Sequence, residues 1–571
     1  MRFALGLGLL LVALVALGSG GPERDAEVLA SATAAPGYEI VELVQGAVLP
    51  GAYGMYFGPD GNLYVGSISH SFIAVLEPGS GNVVRRIGRE QGVLGPDDLT
   101  FGPDGSLYWT DIMAGEVGRM TPDGTVTKQF VAIGVNPITF SDDGRLFVGL
   151  CFMDDGLLEL DPELVLPPRP IVVASEENPF PLGILNAFDF GPDGRLYGPL
   201  FAAGLVVSLD VDACEASSNP WQECDLRVLA DGFTWPVAAK FDPQGRLHVV
   251  DQSGGVSWID VATGAVTLIA TLEAGLDNLA FDASGDLFVS NGEFGWVAQV
   301  HPDGQVRELV RGGMVMPQGV AVLPGPDGSE RVFVANQWRL FEVDGQSGET
   351  IHTYKGHLIP EPGALMGVTT LSVDGDHLVV SSWFSSTAEV WDPSSTTVLE
   401  HYPMGAPLNA IRFQDDVVVV DLLLGGVVWA GDGTIILPMD GADVLLPAGL
   451  ATDGEHLWVG DWATGVVWRL DFDGKTVTST VPVAFDLSFP EGMALDLDGG
   501  LLVVETGAGR LSRIDLSTGD VSVVATGLSV GVPGVETMPP TWLFDDVAVG
   551  PSGAIYVTES GRNVLTRIVR R

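Results

Sequence analysis

Tyr53, Asp97, Asn136, Asn186, Val237 and Asp277 hold the same place in successive copies of one short phrase, just ahead of its first apolar run. Four of these six side chains carry a carboxylate or an amide oxygen. Gln318, Thr369, Asn409, Ala448, Glu491 and Asp545 continue the series in the second half of the chain. Carboxylate and amide oxygens gathered around one point make a site for Ca²⁺, a hard cation that takes about six to eight oxygen ligands. A divalent ion held there polarises a carbonyl or activates a water, with Asp277 or Asp97 as general base. The same residue types also have a plainer use, because Asp or Asn ahead of a strand caps a turn through the backbone. Asp97, Asn136, Asn186 and Asp277 form the candidate centre. Glu491 and Asp545 form a second or degenerate one.

The phrase that must position these residues is "PDDLTFGPDGSLYWTD", Pro96 to Asp111, and its relatives. Twelve copies run from Gly54 to the C-terminus, among them "AFDFGPDGRLYGPL" from Ala187 and "GLATDGEHLWVGDW" from Gly449. Asp-Gly between two apolar runs is a strong hairpin signal, since Gly accepts the positive φ that reverses the chain. This accounts fully for the Asp of each "GPDG". A third and a fourth strand follow, as in "RLSRIDLSTGD" and "DVSVVATGL", and four strands make one propeller blade. Repeats of about 40 to 50 residues are a propeller signature.

The expected fold is all-β, with two tandem six-bladed β-propellers at 36–303 and 304–571 behind a signal peptide at 1–21. A seven-plus-five division is the alternative. Ring closure is expected to use strands from the N-terminal side. Tyr38 to Val44 would complete the blade of Asp277 to His301, and Gln305 to Val310 the blade of Asp545 to Ile568.

Two stretches carry a family resemblance. "PDDLTFGPDGSLYWTD" and "FPEGMALDLDGGLLVVETGAGRLSRIDLSTGDVSVVATGL" resemble the gluconolactonase/regucalcin-like (senescence marker protein type) six-bladed propellers, close to strictosidine synthase-like proteins and NHL repeats. "GLDNLAFDASGDLFVS", from Gly275, is similar to the calcium-ligand segment of paraoxonase-type arylesterases. The resemblance implies Asp277 and Asn278 as metal ligands, Asn136 and Asn186 as amides from other blades, and Asp97 where these families place a Glu. It implies Ca²⁺ as cofactor and a small lactone or ester as substrate. Two departures stand against it. The order of Gln318, Asn409, Glu491 and Asp545 differs from the family's, and none of the eight histidines aligns with the channel-mouth His of the paraoxonase type.

The formal net charge of −47 opposes nucleic acid and anionic membranes as partners. Residues 1–21 have a basic start, an apolar core and a small-residue exit, which reads as a secretory signal, and no later run is long enough to span a bilayer. A secreted, periplasmic or extracellular location lets Cys214 and Cys224 pair, while Cys151 reads as a buried inert thiol. The histidines read as packed or exposed, and the tryptophans as packing between blades. No Gly-X-Ser-X-Gly elbow or P-loop setting occurs. Two functions remain: a calcium-dependent lactonase or esterase-like hydrolase, or a non-catalytic extracellular scaffold that binds a protein, glycan or small ligand.

Overall fold

The structure, a computed structural model, describes residues 32–151, 154–356 and 364–571. The signal at 1–21 lies outside the described residues. What is described is nearly all β, arranged in four-stranded antiparallel sheets, one of them extended to five strands by Thr33–Ala34, consistent with β-propellers. Helix among these residues is limited to Pro220–Glu223 and short 3-10 turns.

The chain divides into two compact units. One is Ala47–Val315. In the other, residues 32–46 join Met316–Arg571.

In Ala47–Val315 each sheet is built from four consecutive strands. In the sheet of Pro96–Phe101, the strands follow as Leu107–Asp111, Glu116–Met120 and Val126–Phe130. The first hairpin turns at Gly105, whose φ of 81° suits Gly alone without strain. Second strands such as Leu107–Asp111 are buried throughout, whereas fourth strands such as Val83–Ile87 are mostly exposed and form the outer edge. The first strands of the six sheets touch in sequence, and the last, Leu276–Phe281, returns to the first, Met55–Phe57.

An aromatic joint recurs at every junction of this cycle, and it explains why the phrase is repeated. The Phe that ends each first strand meets the aromatic that opens the preceding sheet's second strand. Tyr64 meets Phe101 and Tyr108 meets Phe140, both at 5.0 Å between ring centroids. Phe147 meets Phe190 at 5.0 Å, and Tyr197 meets Phe241 at 5.1 Å. His248 meets Phe281 at 4.9 Å, and Phe288 closes the cycle on Phe57 at 5.1 Å. Pairs of this kind add about 0.5–1.5 kcal/mol each beyond their buried area. His248 is thereby a packing residue. Its Nε2 lies 3.2 Å from Asp242 Oδ2, and burial lowers its pKa.

Closure differs from the sequence expectation. Val306–Val310 pairs with its own neighbour Val297–Val300, and Tyr38–Gln45 pairs with Val564–Arg570. The reason is local. His301 and Gln305 bracket a tight turn at Gly304 (φ 83°), so the adjacent strand folds back with little loop entropy lost. The edge left for the N-terminal strand is then Val564–Arg570. Cys214 and Cys224 form the expected disulfide.

Packing between second and third strands leaves no slack at Gly118. A Cβ there would sit 2.1 Å from Trp109 Cζ2, and Trp109 is pinned by Nε1 donating to Asp111 Oδ2 at 3.0 Å. Gly118→Ala is expected to cost about 1–3 kcal/mol through overpacking, read as a lower midpoint in chemical denaturation with an unchanged slope.

Candidate functional site

Asp97, Asn136, Asp277 and Asn278 sit in their first strands rather than ahead of them. Strand register shifts between Pro96 and Leu99, between Val135 and Ile138, and between Leu276 and Leu279. Each shift is a β-bulge, and the bulged residues are Asp97 with Asp98, Asn136 with Pro137, and Asp277 with Asn278. Bulges re-aim side chains that a regular ladder would alternate across the sheet. Asn186 precedes the short strand Asp189–Phe190, and Val237 lies in Pro236–Phe241.

Hydrogen bonds link residues far apart in sequence at this end of the strands. Asn136 Nδ2 donates to Asn186 Oδ1 at 3.4 Å. Thr110 Oγ1 reaches Asn136 Oδ1 at 3.2 Å and Asp98 O at 3.3 Å. Asn278 Nδ2 donates to Asp98 Oδ1 at 3.2 Å, and Ile138 N donates to Asp98 Oδ2 at 3.3 Å. Asp98 and Asn278 receive matching support from the second strands: Asp98 N donates to Thr110 Oγ1, and Asn278 N to Ser290 Oγ, both at 3.0 Å. Gly54 permits the close approach of its neighbour, since a Cβ there would meet Asp97 O at 2.4 Å.

Asp97 and Asp277 are the exceptions to this web. Neither carboxylate has a hydrogen-bond donor or ion-pair partner among the described residues, although Asp97 is only 9% exposed. Burial pushes both pKa values up, Asp277's to about 7. Asp277 adds to the shift of Asp97, and Asp98 and Glu293 add to that of Asp277, so this end of the unit is crowded with negative charge. Burial, Asp277 and Asp97 likewise raise the Tyr53 hydroxyl.

Lys240 supplies the internal counter-charge. It is 9% exposed, with Nζ 3.5 Å from Met55 O and 3.9 Å from Asp98 Oδ1. It favours ionised Asp98, Asp277 and Asp189 against the desolvation that opposes them.

The donor types here, carboxylate and amide oxygens, are those a divalent cation takes. Asp97 and Asp277 have no partner among the described residues, and the amide oxygens of Asn136 and Asn278 each accept one bond, from Thr110 Oγ1 and Leu279 N, and keep a lone pair, whereas the Asn186 oxygen already accepts two, from Asn136 Nδ2 and Ala187 N. The set is a mixed carboxylate and amide one. Among the described residues, no group of three or more His, Cys, Asp or Glu is arranged to hold a metal.

Several participants escape a reading of the sequence. Asp98 was visible only as the doubled acid of "PDDL", and Thr110 and Lys240 lie on neighbouring strands with no motif of their own. Cys151, read as an inert core thiol, is a near neighbour of the set. Its Sγ lies 3.5 Å from Asn136 Nδ2, and burial, then Asp97, raises its pKa. Because Asp98 holds Asn278 and the Asn136 bulge and faces Lys240, Asp98→Ala is expected to cost about 3 kcal/mol by leaving a buried charge unpaired. Lys240→Met in the Asp98→Ala background should recover part of that loss in thermal unfolding.

In the second unit the corresponding acids are satisfied differently. Glu491 lies in the bulge between Pro490 and Met493, and its Oε2 accepts from Asp545 N at 2.9 Å. Asp545 accepts from Gly531 N at 2.6 Å and from Ser560 N and Oγ at 2.7 and 2.9 Å. Asn409 Nδ2 donates to Ala448 O and its Oδ1 accepts from Ala410 N, while Gln318 Oε1 accepts from Phe544 N. Here the turn-capping use of such residues is the one realised.

No family model matches the chain, and no curated protein matches it. Among solved structures it is similar to virginiamycin B lyase from Staphylococcus aureus, at 14% identity over 52% of this chain and 96% of that one, with a TM-score of 0.35. A protein assigned as a gluconolactonase is 13% identical over 49% of this chain and 94% of its own, with a TM-score of 0.35. The extracellular domain of a protein assigned to a one component system of B. thetaiotaomicron is 11% identical over 92% of this chain and 82% of that one, with a TM-score of 0.30. Likeness at this level carries no functional argument, which rests instead on the residues above.

Proposed function

We propose that the chain is a secreted pair of tandem six-bladed propellers whose first unit binds calcium and hydrolyses a small lactone or ester. The observation that carries this reading is the pair Asp97 and Asp277, two carboxylates with no partner among the described residues, in and beside a closed cycle of strands. Asp97 and Asp277 would hold the ion with charge and Asn136 and Asn278 with amide oxygens, with Asn186 joining them once its oxygen gives up its bond from Ala187 N or Asn136 Nδ2. Bound calcium would polarise the substrate carbonyl and offset charge developing on its oxygen.

The chain's own residues supply the rest. The Asp277 carboxylate takes the proton from the attacking water as the water oxygen bonds to the acyl carbon. The acyl–oxygen bond then breaks, and that proton returns to the leaving alkoxide. Asp98 and Thr110 orient the amides, and Lys240 opposes the burial that raises the Asp98 pKa. The disulfide Cys214–Cys224 supports an oxidising location.

Metal content after purification, thermal shift with Ca²⁺ and with chelator, and turnover of a panel of lactones and aryl esters test the reading together. A protein without bound metal whose melting ignores both additions would overturn it.

A further inference from the structure

Tyr53 holds the first of the six aligned places in Ala47–Val315, and the chemistry above leaves it without a role. Backbone bonds join it to the strands of both unpartnered acids. Its neighbour Gly54 donates N–H to Asp97 O at 2.7 Å. On the other side, Ser290 Oγ donates to Tyr53 O at 2.7 Å and accepts from Asn278 N at 3.0 Å. Tyr53 therefore stands between Asp97 and the bulge of Asp277 and Asn278.

Two glycines hold its ring. A Cβ on Gly51 would lie 2.4 Å from Tyr53 Cε2. A Cβ on Gly292 would lie 3.0 Å from Tyr53 Cε1 and 3.6 Å from Asp277 Oδ1. Bare backbone thus borders both edges of the ring, and at Gly292 the same backbone borders the Asp277 carboxylate.

The hydroxyl is what this packing leaves over. Tyr53 is 9% exposed, yet its hydroxyl has no hydrogen-bond partner among the described residues, and the oxygen is not sealed from solvent. After burial, Asp277 and then Asp97 act on it most strongly. Asp277, Asn186 and Cys151 are half-buried, so this end of the strands is open to solvent.

Ionised acids draw a cation but offer no hydrogen to a carbonyl. A phenol does, and a carbonyl oxygen has two lone pairs, so it can accept from the phenol and still face an ion. A donor fixed in place beforehand strengthens its bond as negative charge grows on that oxygen.

We propose that Tyr53 is a substrate-binding residue of this unit, its hydroxyl donating to the carbonyl oxygen of the bound lactone or ester. The substrate class rests on the hydrolase reading, and the hydrogen bond itself is tested apart from turnover.

The probe is δ-valerolactam, which keeps the carbonyl of δ-valerolactone and resists hydrolysis. Calorimetric titration of the full chain compares the parent with Tyr53→Phe, once with saturating Ca²⁺ and once with chelator. Saturable binding is expected in the parent, and binding about tenfold weaker in the variant. The variant loses only a hydroxyl without a protein partner, so its melting temperature and its gain from calcium should match the parent's. In lactone turnover its kcat/KM should fall by about 10²-fold. A parent that fails to bind the lactam in both conditions, or a variant that binds it equally well, would overturn the inference. Equal lactam affinity with the calcium gain intact would overturn it and leave the calcium centre standing. Weaker lactam binding in the variant, with no effect of calcium on the parent, would uphold the hydrogen bond and remove the metal reading instead.

Discussion

Asp277→Ala is expected to abolish both the stabilisation that Ca²⁺ gives the protein and any lactone or ester turnover. Calcium at a hundred times its dissociation constant stabilises a native state by about 2.7 kcal/mol. For a unit of this size that is a rise of roughly 5–10 °C in Tm, and the variant should show none of it. Turnover should fall by about 10²–10⁴-fold, the usual contribution of a general base, with loss of the bound ion adding to it.

The variant has a second signature that a merely structural residue would not give. With metal removed, Asp277 and Asp97 each oppose the other's ionisation. Deleting one therefore relieves repulsion, and chelated Asp277→Ala should melt no lower than the chelated parent near pH 8. Asp97→Asn should behave alike, and the double variant should lose no more calcium stabilisation than either single one, because groups sharing one ion are not additive. A calcium-dependent Tm rise that survives in Asp277→Ala would remove the ion from this place and the proposed chemistry with it.

The repeated phrase made the sheets legible, because alternation and Asp-Gly turns are local properties. It also aligned Asp97, Asn136, Asn186 and Asp277 by register alone, four residues that hydrogen bonding and charge connect in the folded unit. What stayed hidden depends on neighbours contributed by other sheets. Lys240 looks like any strand lysine until Asp98 and Met55 are placed around it. Cys151 ends an ordinary apolar strand, and only folding sets it beside Asn136. The closing strand differs from the sequence expectation for a related reason. Tyr38–Gln45 and Val306–Val310 are similar as strings, and choosing between their edges required the turn at Gly304 to be weighed as a hairpin in its own right. The two units diverge through single residues: Asp545 spends its carboxylate on Gly531 and Ser560, whereas Asp277 has no such donors among the described residues.

Stability of the metal-free protein is expected to fall as pH rises from about 5 to 7, the reverse of the usual acid limb. The folded pKa of Asp277 is about 7 against 3.8 for the free group, so the native state holds a proton that the unfolded chain has released. Asp545 and Asp546, each raised to about 7, and Asp189, raised to about 6, act in the same direction, with burial the leading cause for all of them. Where the native state binds more protons, stability drops with pH, by about 1.4 kcal/mol per pH unit for each extra proton. Below about pH 4 the trend reverses, because carboxylates held low by hydrogen bonds and ion pairs, such as Asp392 at about 2 and Glu159 beside Arg145, lose their stabilisation on protonation. Calcium changes only part of this. Holding Asp97 and Asp277 ionised removes their share of the slope and leaves that of Asp545, Asp546 and Asp189. The gain in Tm from calcium should therefore grow steadily between pH 5 and 8. Melting curves across that range, with chelator and with saturating Ca²⁺, check both statements. A chelated Tm that climbs with pH, or a calcium gain that is flat, would mean that the acids at the strand ends are already neutralised by something other than an ion.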